Sequence, residues 1–389
     1  MDPAIYDDLE KALKTSGPAE AVDRLGAALR QSKEYSSLFY TLLMKKRVEL
    51  GVSPLPTGPS SELPASTHEP YEQAIREAAR QVGRLYLDEG NLTQAWSFFR
   101  IIGEREPVIQ ALDKYELGEG DEAQSVIELA FHQGLHPRKG FDWILQRFGI
   151  CSAITLVGSN LNNGEFSHGA EVRDHCLRSL ARSLHEQLVE RLHADIVRRE
   201  GSAPASRSIP ELLAGRDWLM DEDNYHIDTS HLNSVVQMAA HVAPCAELKL
   251  VRELCQYGQK LSPQFQYAAD PPFQDQYRDY EVFFKILLGE DVEAGLAHFR
   301  AKCDTKDSDY PINTAAEVLV NLLLRLGRES DALAVARQHL TNVDERQLSC
   351  PGVTELCRRT GDFQALAEIA RERGDPVSFV AGLIAAGKK

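Results

Sequence analysis

Residues 223 to 236, DNYHIDTSHLNSVV, set Asp223, His226, Asp228 and His231 within nine positions. His226, Asp228 and His231 form H-x-D-x-x-H, two imidazoles and a carboxylate, which is the donor set of non-haem iron and of catalytic zinc. A divalent metal (Zn, Fe or Mn) is therefore one expectation for this stretch. A calcium loop counted from Asp221 is excluded, because His226 stands where glycine is needed and Leu232 where glutamate is needed. The competing expectation is a helix start, with Asp228, Thr229 or Ser230 as cap ahead of the apolar face Leu232, Val235, Val236 and Ala239.

Nine of the twelve histidines lie between His132 and His241, so more donors are available to either acid–base or metal chemistry. His132, His136, His168 and His175 are the candidates to complete a shell begun by His226, Asp228 and His231. On one continuous helix His168, His175 and His193 share a face with Arg182, Glu186 and Glu190, opposite a stripe of Leu177, Leu180, Leu184 and Leu188. That face is either solvated or the wall of a polar groove, to which Glu186 would belong; Trp143 and Tyr225 are candidate aromatic walls. His136 precedes a proline, so it does not share a helical turn with His132.

The elements that would position these residues are helices. Apolar residues recur at three and four, as in Leu319, Leu322, Leu323 and Leu326, and alternating β-branched runs are nearly absent, which predicts an all-α chain. One turn recurs, a glycine at a helix end followed by a small alanine inside the next helix. The pairs are Gly17 and Ala21, Gly90 and Ala95, Gly118 and Ala123, Gly289 and Ala294, Gly327 and Ala332, and Gly361 and Ala365. Glycine supplies the left-handed turn and alanine lets the second helix lie close to the first, so each pair predicts a helical hairpin. Gly289, Gly327 and Gly361 are 38 and 34 residues apart, the period of stacked helix pairs.

These hairpins resemble the tetratricopeptide-repeat (TPR) family. The best match is residues 79 to 107, where Gly83, Tyr86, Ala95, Phe99 and Pro107 keep the family's spacing and Ala79 replaces its tryptophan. The resemblance, over about half of the chain, implies a TPR-like α-solenoid whose concave groove holds a protein or peptide. The expected organisation is an N-terminal hairpin over 1–50, a Pro-rich linker or loop over 51–70, TPR-like hairpins over 71–135, a histidine-rich block of longer helices over 136–260, and C-terminal TPR-like hairpins over 277–389. In the sequence SIPE, Ser208 and Glu211 read as a capping box.

The net charge of −15 disfavours a nucleic-acid partner and, over the chain as a whole, favours a basic or neutral one. Seven cysteines without a C-x-x-C pair suggest neither a disulfide framework nor a thiolate zinc site, which fits a reducing cytoplasm. No membrane span is expected. GEGDEA at Gly118 carries acids where a pyrophosphate would sit, and it follows a helix, so it reads as a hairpin turn. Two functions remain: a cytoplasmic binding or scaffold protein using a concave groove, and a metal-dependent hydrolase or oxidoreductase centred on His226, Asp228 and His231.

Overall fold

The computed structural model describes residues 4–387 apart from 56–62, 119, 121, 163–165, 222, 268 and 306–311. Among the described residues the regular structure is entirely helical, with nineteen α-helices and no strand. Two compact units are present, Met1–Arg147 and Phe148–Lys389. The division falls inside the segment 136–260, so the histidines expected to form one block are shared between units.

The first unit contains α1 (Ala4–Ser16), α2 (Pro18–Gln31), α3 (Tyr35–Glu49), α4 (Ala65–Asp88), α5 (Leu92–Ile101), α6 (Glu106–Lys114) and α7 (Glu122–Ile127). Helices adjacent in sequence are adjacent in space from α1 through α6. Leu38, Phe39, Leu43, Ala79, Val82 and Phe98 belong to one buried cluster under α3, α4 and α5. The α4–α5 hairpin closes tightly because Gly83 has no side chain: a Cβ there would lie 2.7 Å from Cε2 of the fully buried Phe99 ring.

Two expectations need correction in this unit. Residues 1–50 hold three helices rather than one hairpin. The Pro-rich segment 51–70 is also less irregular than its five prolines suggest, because α4 starts at Ala65 and includes Pro70. The N–H and hydroxyl of Thr67 both donate to the Pro64 carbonyl, at 2.8 and 2.7 Å, and fix the first turn. Pro70 then removes a single hydrogen bond close to the helix start.

Helix α8 (Pro137–Asn162) begins in the first unit and is interrupted by Gly149, whose φ of 76° is non-helical. Its span Pro137–Leu161 is long and apolar enough, by length and composition, to cross a membrane, which the sequence reading did not anticipate. The break at Gly149 divides that span into two shorter helices.

The second unit is built on α9 (Ala170–Glu200), α10 (Ile209–Leu213), α11 (Thr229–Ala239) and α12 (Leu248–Gly258). Leu177, Leu180, Leu184 and Leu188 are each at most 2% exposed, so the expected stripe of α9 is its core face. Helices α11 and α12 pack on α9, burying Leu232, Val235, Val236 and Ala239 as well as Val251 and Leu254. Each leucine so buried contributes about 1.5–3 kcal/mol.

Sequential pairs follow: α13 (Gln276–Leu287), α14 (Val292–Cys303), α15 (Thr314–Arg325), α16 (Glu329–His339), α17 (Val353–Thr360), α18 (Phe363–Arg373) and α19 (Pro376–Ala386). Each packs on the next, a helical-repeat arrangement. The turn glycines Gly289, Gly327 and Gly361, like Gly17 and Gly90 in the first unit, adopt positive φ. Gly118 lies in irregular chain before α7, beside Glu119 and Asp121, which fall outside the described residues.

The small-residue positions hold at Ala332 and Ala365 but shift at the α13–α14 hairpin. There Ala294 is exposed, and Gly295 occupies the close approach, where a Cβ would lie 2.5 Å from Cγ1 of Ile286. The capping box is also absent. Ser208 makes no side-chain cap, and Glu253 of α12 instead accepts from the Ile209 N–H at 2.9 Å and the Ser208 hydroxyl at 3.2 Å. A carboxylate from another helix has replaced the local one, because Glu253 is held there by His185 Nε2 at 2.9 Å.

Candidate functional site at the end of the long helix

The last turns of α9 present Asp195, Arg198 and Arg199, and Gly201 in the left-handed conformation ends the helix there. Cations in a last turn oppose the partial negative charge of the helix end, which accounts locally for both arginines. The chain returns through α10 to a short 3₁₀ turn, Asp217–Met220, which sets Trp218 against Arg199: the guanidinium carbon lies 4.4 Å from the ring centroid. Asn224, Tyr225 and His226 then lead into α11. Together Asp195, Arg198, Arg199, Trp218, Leu219, Asn224, Tyr225 and His226 line an open cleft of about 390 Å³.

His226 is the best-fixed group in the cleft, its side chain only 5% exposed. Its backbone N–H donates to the Tyr257 hydroxyl oxygen at 2.8 Å, and its Nδ1 lies 3.1 Å from the same oxygen. The phenol oxygen accepts from the backbone; because an acceptor-only carboxylate, Asp195, faces Nε2 with its Oδ2 at 3.5 Å, the neutral ring keeps its proton there and Nδ1 accepts from the phenol. Burial lowers the His226 pKa and Asp195 offsets this only in part, so the imidazole is neutral near pH 7. Burial also pushes the Tyr257 phenol up to about 12, so it remains protonated.

Asp195 is held on its other side by Arg198 at 2.9 Å. Arg199 makes no hydrogen bond among the described residues; its guanidinium carbon sits over the Trp218 ring, and its charge helps to lower the pKa of the neighbouring Glu200, whose carboxylate is bonded to Arg216. Tyr225 is 55% exposed, and its ring stands 5.0 Å from that of Phe265.

The remaining candidates are placed differently. Asp228 is the N-cap of α11, its Oδ1 accepting from the Ser230 N–H at 2.8 Å, the Ser230 hydroxyl at 2.6 Å and the His231 N–H at 3.4 Å. The Ser230 hydroxyl and the backbone donors hold that carboxyl below its usual range. His231 contributes its backbone N–H to this cap. His168 and His175 are half-buried, and His193 bonds the Ser206 carbonyl at 2.8 Å.

Glu186 is exposed and lies 3.7 Å from Arg207. In the first unit His132 is exposed and His136 pairs with Asp113 at 2.7 Å. Trp143, expected in a groove, is buried at 5% exposure beneath Lys139, whose Nζ lies 5.2 Å from the ring centroid, and beside Tyr115. Of the expected groove residues, Tyr225 alone lines the cleft. Among the described residues no three His, Cys, Asp or Glu side chains are grouped so as to hold a metal ion.

Sequence reasoning missed Asp195, Arg199, Trp218 and Tyr257. No spacing rule links a residue in α9 to one in α12, so only the eight-position interval from Trp218 to His226 carried a local signal. No protein-family model matches this chain, and no curated protein matches it.

Proposed function

We propose that this chain is a TPR-like helical-repeat binding protein that holds a protein or peptide partner, and that the cleft between Asp195 and His226 is where the partner seats. The observation that carries this reading is the cleft itself: arginine and asparagine donors and an exposed tyrosine face, gathered by the end of α9, the 3₁₀ turn and the segment leading into α11, and anchored by the buried His226 that Tyr257 holds. Such pre-organisation lowers the entropic cost of binding. The Gly83–Phe99 closure of the α4–α5 hairpin, at two positions of the TPR-like pattern, supports the repeat assignment.

The test is an array of immobilised dodecapeptides of varied composition probed with the purified full chain. A reproducible subset of bound peptides, lost with Tyr225→Ala while the melting temperature is unchanged, is the expected result. Binding that ignores Tyr225→Ala would remove the cleft from the proposal, and an array with no bound peptide would overturn it. The alternative metal-dependent enzyme centred on His226, Asp228 and His231 is tested by metal content, as argued below.

A further inference from the structure

The chain carries a net charge of −15, and that long-range field favours basic or neutral partners. Among the side chains that line the cleft, cations outnumber anions. Two guanidinium groups, Arg198 and Arg199, stand against one carboxylate, Asp195, which is already taken by Arg198 at 2.9 Å and faces His226 Nε2 at 3.5 Å.

Arg199 is the informative residue. A cation in the last turn of a helix needs only to be near the helix end, and its side chain is usually free to move. Here the guanidinium carbon lies over the Trp218 ring, 4.4 Å from its centroid. A guanidinium held over an aromatic face keeps its N–H donors available to an acceptor. None of those donors has an acceptor among the described residues. A planar guanidinium fork with no bonded acceptor among the described residues matches the two oxygens of a carboxylate.

Asn224 adds an exposed side-chain amide to the same cleft, while the Nε2 of His226 faces Asp195. Tyr225 supplies an aromatic face beside them, suited to the apolar part of a side chain next to the anionic group.

We infer that the cleft recognises an acidic side chain, aspartate or glutamate, in the partner segment, with Arg199 as the bidentate donor and Tyr225 as the wall for a neighbouring residue. This rests on the reading of the cleft as a peptide site. It adds that selection there is for negative charge, against the sign of the chain as a whole. Distant charge then slows encounter, and the local fork decides which segment stays bound.

The experiment uses the same dodecapeptide array, printed as matched pairs in which each Asp or Glu is replaced by Asn or Gln, and probed with the full chain. The acidic member of a bound pair is expected to bind about tenfold more tightly than its amide, a difference typical of one charge-assisted contact. Arg199→Gln should abolish that preference, and Arg199→Lys, which keeps the charge and loses the planar fork, should retain only part of it. Arg199 is exposed, so both variants should keep the wild-type melting temperature.

Peptides that bind in a Tyr225-dependent way but show no acidic preference, or a preference that survives Arg199→Gln, would overturn this inference and leave the binding function standing. An array with no bound peptide would overturn both.

Discussion

The phenol oxygen of Tyr257 lies 2.8 Å from the backbone nitrogen of His226 and 3.1 Å from its Nδ1, so one buried hydroxyl holds both the main chain and the ring of the histidine. Tyr277, equally buried, has a hydroxyl with no partner among the described residues. Tyr257→Phe should therefore cost about 1–3 kcal/mol, the penalty for stranding a buried donor. Tyr277→Phe should be neutral or slightly stabilising, because it removes a polar atom that makes no bond. Urea unfolding of the two variants side by side checks the pair, and equal losses would contradict it.

Acidification should weaken the second unit before any carboxylate titrates. His226 and His241 both have pKa values below the ordinary imidazole value of 6.5. Burial is the leading cause for each, and Arg173 and Arg325 add to it at His241. The unfolded chain then binds protons that the folded chain refuses, so stability is full above pH 6.5 and falls as the pH drops from there toward the folded values. Glu253 and Asp228 act in a lower window, since their depressed pKa values matter only below the ordinary carboxylate range. The urea midpoint should decline as the pH falls below the ordinary imidazole value of 6.5, and His241→Asn should flatten that decline.

The start of α10 depends on Glu253 rather than on Glu211. Burial pushes the Glu253 carboxyl up, yet the donors from His185, Ile209 and Ser208 outweigh it and lower its pKa. Removing this acceptor strands the Ile209 N–H, so Glu253→Ala should destabilise by about 2 kcal/mol. Glu211→Ala, which touches no cap, should change stability by less than about 0.5 kcal/mol. The reverse order in thermal melts would restore the local capping box.

Hairpin closure gives an independent test of packing. Alanine is a better helix former than glycine by about 1 kcal/mol, so a gain would follow from propensity alone. At Gly83, however, the new methyl would meet the Phe99 ring at 2.7 Å, and that ring is fully buried. Gly83→Ala should lose about 1–3 kcal/mol net, and pairing it with Phe99→Leu should recover part of the loss. Gly295→Ala against Ile286 should behave alike, whereas Ala294→Ser, on an exposed position, should be nearly silent.

Metal content separates the two functional readings. Among the described residues no three His, Cys, Asp or Glu side chains converge as the ligands of one ion would, and Oδ1 of Asp228 is taken up in the cap of α11. Elemental analysis of untagged protein should find no stoichiometric zinc, iron or manganese, and His226→Ala/His231→Ala should change nothing. A metal that disappears in the double variant would establish the metal site and displace the binding reading.

What the sequence determined by itself is local. Apolar spacing of three and four specified helices, the turn glycines placed most hairpins, and Asp228 ahead of Leu232 and Val235 marked the start of α11, because helix periodicity and capping act within a few residues. The same locality explains the errors. Ser208 and Glu211 had the right types for a cap, but a carboxylate on α12 reached the site first; Ala294 had the right size, but its neighbour faced the partner helix. The cleft was decided by tertiary structure alone. Asp195 on α9, Trp218 on a short turn and Tyr257 on α12 meet His226 only because α11 and α12 fold back on α9 to bury their leucine and valine faces. That burial is non-directional and long-range in sequence, so no spacing of residues along the chain records where it brings polar groups together.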